Sequence, residues 1–219
     1  MSGGAPEAAH CQRCGAALAP ARPPGDDHER LICGRCGWVF YDNPRVVVGT
    51  LVAVGDAVLL CRRAIAPREG LWTLPAGFLG RGESATAGAG RETLEEAGAR
   101  VRVTAPLAHF DIPDIGQIYL LFRAELLAPG LAPGPESLEV RLFPRDALPW
   151  GELAFDAVRF ALERWLADRD AQAARVHYGV LTRPETGPPS GAAAAEGADP
   201  WVPCRLDAAW SLPLGLVAP

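Results

Sequence analysis

The chain has 219 residues and a mass of 23.2 kDa, room for one full domain and a smaller module at roughly 150 residues per domain. Apolar residues at 49% and charged residues at 21% match ordinary soluble proteins and exclude a wholly disordered chain, while six Cys are too few for a disulfide scaffold. All 21 basic residues are Arg, and against 26 acids they leave a net charge of −5, which excludes a general attraction to nucleic acid or to an anionic membrane.

Residues 1–19 contain no apolar segment behind a basic start, so no secretory signal is read there. The longest apolar run, 46–61, is broken by Gly55 and Asp56 and reads as two strands rather than a membrane span. The expectation is a cytoplasmic protein whose cysteines are thiols or metal ligands. Spacing favours ligands for four of them. Cys11 and Cys14 form one Cys-x2-Cys pair, Cys33 and Cys36 a second, and 18 residues separate the pairs, the pattern of a four-thiolate zinc ribbon. Four thiolates close a tetrahedral site, so this Zn²⁺ would be structural and His10 a bystander. Through Arg45 the module carries five Arg and five acids, which offers phosphates no net field.

From Arg45 onward the pattern becomes strand-like. RVVVGTLVAV, a Gly55-Asp56 pair and AVLLCRR predict a hairpin with a two-residue turn. A helix is predicted over 84–97, strands over 101–110, 118–126 and 138–143, and a second helix over 150–167 from the spacing of Leu153, Phe155, Val158, Leu162, Trp165 and Leu166. The organisation read from this is a zinc ribbon over 1–44, a mixed α/β domain over 45–181, and a Gly/Pro/Ala-rich tail over 182–219 expected to be mobile, although Trp201, Trp210 and the LPLGL run could dock on the domain.

The chemistry concentrates in GFLGRGESATAGAGRETLEEAGA. On a helix, Glu96 lies about 40° to one side of Glu92 and Glu95 about 60° to the other, so three carboxylates share an arc of about 100°. Like charges at such spacing repel, and the arrangement makes sense with a cation present: Arg91 in part, and a hard divalent ion such as Mg²⁺ held by carboxylate oxygens. Ala87, Gly90, Thr93, Leu94 and Ala97 form the opposite, small-residue face expected to pack on a sheet. Ser84 is placed to cap the helix and Gly98 to end it.

Gly77, Glu83, Arg91, Glu92, Glu95, Glu96 and Gly98 fit the pattern G-x5-E-x7-R-E-U-x-E-E-x-G-U, in which Thr93 and Ala99 occupy the apolar positions. The chain thereby resembles the Nudix hydrolases, and more narrowly those with an N-terminal zinc ribbon that include FAD and ADP-ribose pyrophosphatases. That resemblance implies a Nudix-type α/β/α sandwich with a mixed sheet, Mg²⁺ or Mn²⁺ on Glu92, Glu95 and Glu96 with the Gly77 carbonyl joining the shell, and Arg91 and Glu83 orienting those carboxylates. It further implies hydrolysis of a diphosphate bond in FAD or ADP-ribose, releasing AMP, with a nucleotide as small-molecule partner; a homodimer is left open. NADH pyrophosphatases of this kind carry an SQPWPFP-like stretch that the chain lacks, which favours the other two substrates. The acceptor of the water's proton is a Glu of the box or an acid outside it, with Glu136 and Glu139 the outside candidates, and Phe78, Tyr119, Phe122 and Phe143 are candidates to stack a purine. Two other readings remain: a ligand-sensing regulator on the same scaffold, and an NADH or capped-RNA pyrophosphatase.

Overall fold

In the computed structural model residues 10–182 and 204–214 are described. The chain divides into two compact units, Met1–Asn43 and Pro44–Pro219. The first is a three-stranded antiparallel sheet, β1 (Leu18–Ala21), β2 (Arg30–Cys33) and β3 (Val39–Phe40), in the order β1-β2-β3. It has little apolar substance beyond the half-buried Leu31, Ile32, Trp38 and Phe40, as expected of a module organised by something other than a core.

The second unit is built on one mixed sheet. Its strands are β4 (Arg45–Val54), β5 (Ala57–Arg63), β6 (Trp72–Thr73), β7 (Ala76–Phe78), β8 (Val101–Ile112), β9 (Gln117–Leu126), β10 (Ser137–Pro144), β11 (Arg175–Thr182) and β12 (Arg205–Pro213). The path β10-β5-β4-β9-β8-β11-β12 carries β6 beside β5 and β7 beside β4. β4 runs parallel to β9 and β8 parallel to β11, and the other pairings are antiparallel. The hairpin at Gly55-Asp56 forms as its sequence predicts, with Val54 opposite Ala57.

Among the described residues two α-helices cover the sheet. α1 (Ala85–Ala97) starts where the Ser84 hydroxyl accepts from the Ala87 N–H and ends at Gly98 in the left-handed conformation. It turns Gly88, Ala89, Thr93, Glu96 and Ala97 inward. Ala87 and Leu94, placed on the packing face by the sequence, are exposed instead. The phase is set by β4: Gly88 lies close over Val48, and the hydroxyls of Thr50 and Thr93, both fully buried, meet at 2.6 Å while Thr93 donates to the Ala89 carbonyl at 2.7 Å. α2 (Asp156–Asp170) lies C-terminal to a short 3-10 turn at Trp150–Glu152 and buries Ala157, Val158, Ala161, Leu162 and Trp165 in the main core with Leu51, Leu60, Leu107, Phe110 and Leu121.

β11 and β12 lie beyond the elements the sequence predicts. Part of the region read as a tail over 182–219 is β12, which completes the sheet against β11; Trp201 and the rest of 183–203 and 215–219 lie outside the described residues. No helix among the described residues is long and apolar enough to cross a membrane.

Candidate active site and metal centres

In the N-terminal unit the four predicted cysteines converge. Cys11 and Cys36 have their sulfurs 3.6 Å apart, Cys14 and Cys33 3.5 Å, and Cys14 and Cys36 3.6 Å, with no disulfide among them. A tetrahedral zinc site with bonds of about 2.3 Å needs sulfurs about 3.8 Å apart. The donor set and spacing fit that ion, and the Arg13 amide already points at the Cys11 sulfur at 3.4 Å.

In the second unit α1 presents its acids to a cavity of about 500 Å³. Glu92, Glu95 and Glu96 line it together with Glu136, Gly77, Phe78 and Tyr119. One guanidinium organises the acids. Arg91 Nη1 donates to Glu92 and to Glu95, both at 2.8 Å, while its Nε and Nη2 grip Glu83 at 3.1 and 2.8 Å. The Arg91 hydrogen bonds hold the Glu83 carboxyl below its ordinary range, and Gly80 adds a backbone N–H. Glu96 is bound separately, accepting from the Ala76 amide at 3.1 Å. Burial pushes Glu96 up to about 7, partly relieved by that amide and reinforced by Glu92. Burial raises Glu92 as well, against the pull of Arg91.

Backbone proximity makes this arrangement possible at two glycines. A Cβ at Gly77 would strike the Glu92 carboxylate, so only a bare backbone can bring the β7 carbonyls beside the helix acids. A Cβ at Gly134 would strike the Glu95 carbonyl; with glycine there, its amide instead donates to Glu96 O at 3.1 Å and the loop delivers Glu136 to the cavity.

Two sequence candidates do not reach the cavity, and one more is core. Along β9, Gln117, Tyr119 and Leu121 face the cavity, so alternation turns Phe122 to the other side of the sheet, opposite Thr50. On β10 the register slips between Ser137 and Glu139, pairing Glu139 with Arg62 while the cavity is lined from β5 by Arg63; Glu139 therefore shares the face that Arg62 takes. Phe143 is buried against Trp72, their rings edge-on at 4.7 Å. Phe78 and Tyr119 do line the cavity; Phe78 is half exposed with the Arg45 guanidinium 4.9 Å from its ring centre.

Sequence reasoning missed Arg63. Among the described residues it is the one basic residue lining the cavity, held by Nε to the Pro67 carbonyl at 2.8 Å and lying 5.1 Å over the Phe155 ring. Its signal was the CRR end of a strand, where alternation must send one of two adjacent arginines inward. With it, four carboxylates face one guanidinium, an excess of hard anionic oxygens that fits a divalent cation.

This acid-lined cavity, carried by a capped helix on a mixed sheet, belongs to a class defined by its box of glutamates. The NUDIX domain family matches residues 43–166 and the Nudix N-terminal family, a zinc ribbon, matches residues 9–42: the chain is a member of the Nudix hydrolase family. Among solved structures, it is similar to a NUDIX hydrolase from Nitrosomonas europaea, at 44% identity and a TM-score of 0.77, over 80% of this chain and 99% of that one. It is 32% identical to the NAD-capped RNA hydrolase NudC of Pseudomonas aeruginosa over 74% of this chain, and 30% identical to the ADP-ribose pyrophosphatase of Methanocaldococcus jannaschii over 53% of this chain and 70% of that protein. The chain spans 57% of the length of the NudC relative.

Proposed function

We propose that the chain hydrolyses the diphosphate bond of a nucleoside diphosphate derivative of the ADP-ribose or FAD kind, releasing AMP. The observation that carries this reading is the cavity in which Glu92, Glu95, Glu96 and Glu136 face Arg63. Glu92, Glu95 and Glu96, with the Gly77 carbonyl, would hold Mg²⁺ or Mn²⁺, and Cys11, Cys14, Cys33 and Cys36 would hold a structural Zn²⁺. The divalent ion supplies neutralisation of the two phosphoryl groups and acidification of a water.

The chain's own residues do the rest. Arg91 bridges Glu92 and Glu95 through one nitrogen, offsetting their repulsion, and Glu83 anchors Arg91 through its other nitrogens. Arg63 meets a phosphoryl oxygen with a guanidinium whose direction is fixed by Pro67 and Phe155. Glu136, exposed at the cavity edge, accepts the proton of the attacking water. Ile65, Ile115 and Tyr119 give the cavity an apolar end for a ring, and Phe78 offers a half-exposed face for stacking a base.

Two points support ADP-ribose or FAD over NAD-capped RNA as substrate. No SQPWPFP-like stretch occurs in the sequence, and the net charge of −5 gives a long polyanion no favourable field. The test is a panel of FAD, ADP-ribose, NADH, NAD and NAD-capped RNA with Mg²⁺ or Mn²⁺, products separated by chromatography. AMP from FAD or ADP-ribose at the highest kcat/KM is expected. Preference for capped RNA would replace the substrate assignment, and tight nucleotide binding without turnover would favour the ligand-sensing reading.

A further inference from the structure

Away from the acid-lined cavity, the last turns of α2 bring Asp168 against β11, where it is 1% exposed and meets His177, 3% exposed. Four groups donate to this carboxylate: Arg123 through Nη2, Arg175 through Nη1 at 3.2 Å, the Arg175 amide at 3.3 Å, and His177 through Nε2 at 3.0 Å. A carboxylate accepting from two guanidiniums has no hydrogen to give, so the imidazole proton lies on Nε2. In the neutral imidazole Nδ1 then carries the free lone pair, and the Ser211 hydroxyl, 2.7 Å away, is placed to donate to it. Ser211 is directly opposite His177 in the β11–β12 ladder and is exposed, on the outermost strand of the sheet.

We propose that Ser211, His177 and Asp168 form a second nucleophilic site that hydrolyses activated esters without a divalent ion. The polarity of the chain is the one such chemistry needs: a buried carboxylate fixes the tautomer, the base presents its free lone pair to a hydroxyl, and the serine that carries the hydroxyl is exposed. The adjoining rows of the same sheet face supply the rest. On one side Ser211 adjoins Ala209, which is exposed and carries only a methyl; on the other, Arg175 is opposite Pro213, and its guanidinium, held by Nη1 to Asp168, supplies positive charge next to the hydrogen-bonded chain for a developing oxyanion.

In the first step Ser211 Oγ bonds to the carbonyl carbon while its proton passes to His177 Nδ1. The carbonyl π pair moves to oxygen, beside Arg175. Collapse re-forms the carbonyl, breaks the bond to the leaving oxygen and returns the Nδ1 proton to it as an alcohol. Water then repeats the sequence on the acylated serine: it gives a proton to Nδ1, attacks the carbonyl and releases the acid, and the proton returns to Ser211. The sum is ester plus water to acid plus alcohol.

The full chain without added divalent ion, incubated with a fluorophosphonate probe and with p-nitrophenyl acetate, tests this. One phosphonyl group per chain, mapped to Ser211 by peptide mass, is expected, and Ser211→Ala should abolish labelling and lower ester hydrolysis by about 10²-fold while leaving Mg²⁺-dependent hydrolysis of the nucleotide panel unchanged. Glu96→Gln should do the reverse. Ser211 is exposed, so its replacement removes no core packing, circular dichroism checks that the fold survives loss of the bond to His177, and a merely structural hydrogen bond would not direct a phosphonate to one serine. Absent labelling, or labelling and ester hydrolysis that persist in Ser211→Ala, would overturn the proposal.

Discussion

The two candidate metal centres are built on opposite plans. In the N-terminal unit the sulfurs of four cysteines stand together with separations of 3.5–3.6 Å along three of their pairs. In the hydrolase unit every acid of α1 is held by some other group: Glu92 and Glu95 by Arg91, Glu96 by a backbone amide. Sulfurs that share protons tolerate one another at contact distance, whereas ionised carboxylates repel, so the acid site keeps its shape through a resident guanidinium. The first plan suits a closed structural ion and the second an ion that must keep open positions for phosphate and water.

The largest expected effect lies on the closed site. Structural zinc binding contributes on the order of 10 kcal/mol to the folding of such modules, so Cys33→Ser should empty the site and unfold the N-terminal unit. Zinc content by atomic emission and proteolysis of the first 43 residues would measure this; full retention of zinc would break the contrast at its root. At the open site, Glu96→Gln removes one ligand charge at nearly constant volume. Turnover should fall about 10²- to 10³-fold, a loss of several kcal/mol of transition-state stabilisation, with circular dichroism unchanged. Unaltered turnover would remove Glu96 from the metal site.

The legible and illegible parts of this molecule divide along the same physical lines. Paired cysteines and a glutamate box are short-range signals, because each set sits on one knuckle pair or one helix, and both were readable without knowing any tertiary contact. The hairpin at Gly55-Asp56 and the limits of α1 were also local matters of turn and cap chemistry. What escaped depends on alternation and register. Phe122 and Glu139 fall on the wrong side of their strands by one residue, and the slip at Ser137 was not visible in SLEVRLF. Arg63 and β12 were hidden for another reason: their roles come from partners distant in the chain, Glu96 and Glu136 for the first and β11 for the second.

Proton and metal should compete at the open site, which gives a pH signature of middle size. Glu96 rises from an ordinary 4.5 to about 7 on folding, so the folded chain holds that proton more tightly than the unfolded one. The stabilising contribution is therefore complete below about 4.5, declines as pH climbs toward 7 and is lost above it, a change of about 3 kcal/mol. Glu92, also raised by burial, adds in the same sense, whereas Glu83, lowered by Arg91, acts only below its ordinary value. Urea unfolding of the divalent-free protein between pH 4 and 8 should show the decline, Mg²⁺ should abolish it, and Glu96→Gln should flatten it. A flat profile for the unaltered chain would mean that the cavity already neutralises Glu96, and with it the need for a cation.

The smallest effect concerns what holds the acid helix on its sheet. Thr50 and Thr93 are wholly buried, and each hydroxyl depends on the other or on a carbonyl: Thr50 donates to Thr93, which donates to Ala89. Thr93→Val preserves shape but leaves the Thr50 hydroxyl buried without its acceptor, a penalty of about 1–2 kcal/mol. Replacing both by Val removes the stranded group along with its partner, so the double variant should be no less stable than Thr93→Val alone, although Thr50→Val by itself also costs stability. Urea midpoints for the four proteins complete the cycle. Strictly additive losses would mean that the two hydroxyls do not depend on each other, and that Gly88 over Val48 alone seats the helix whose acids the cysteine site has no need to imitate.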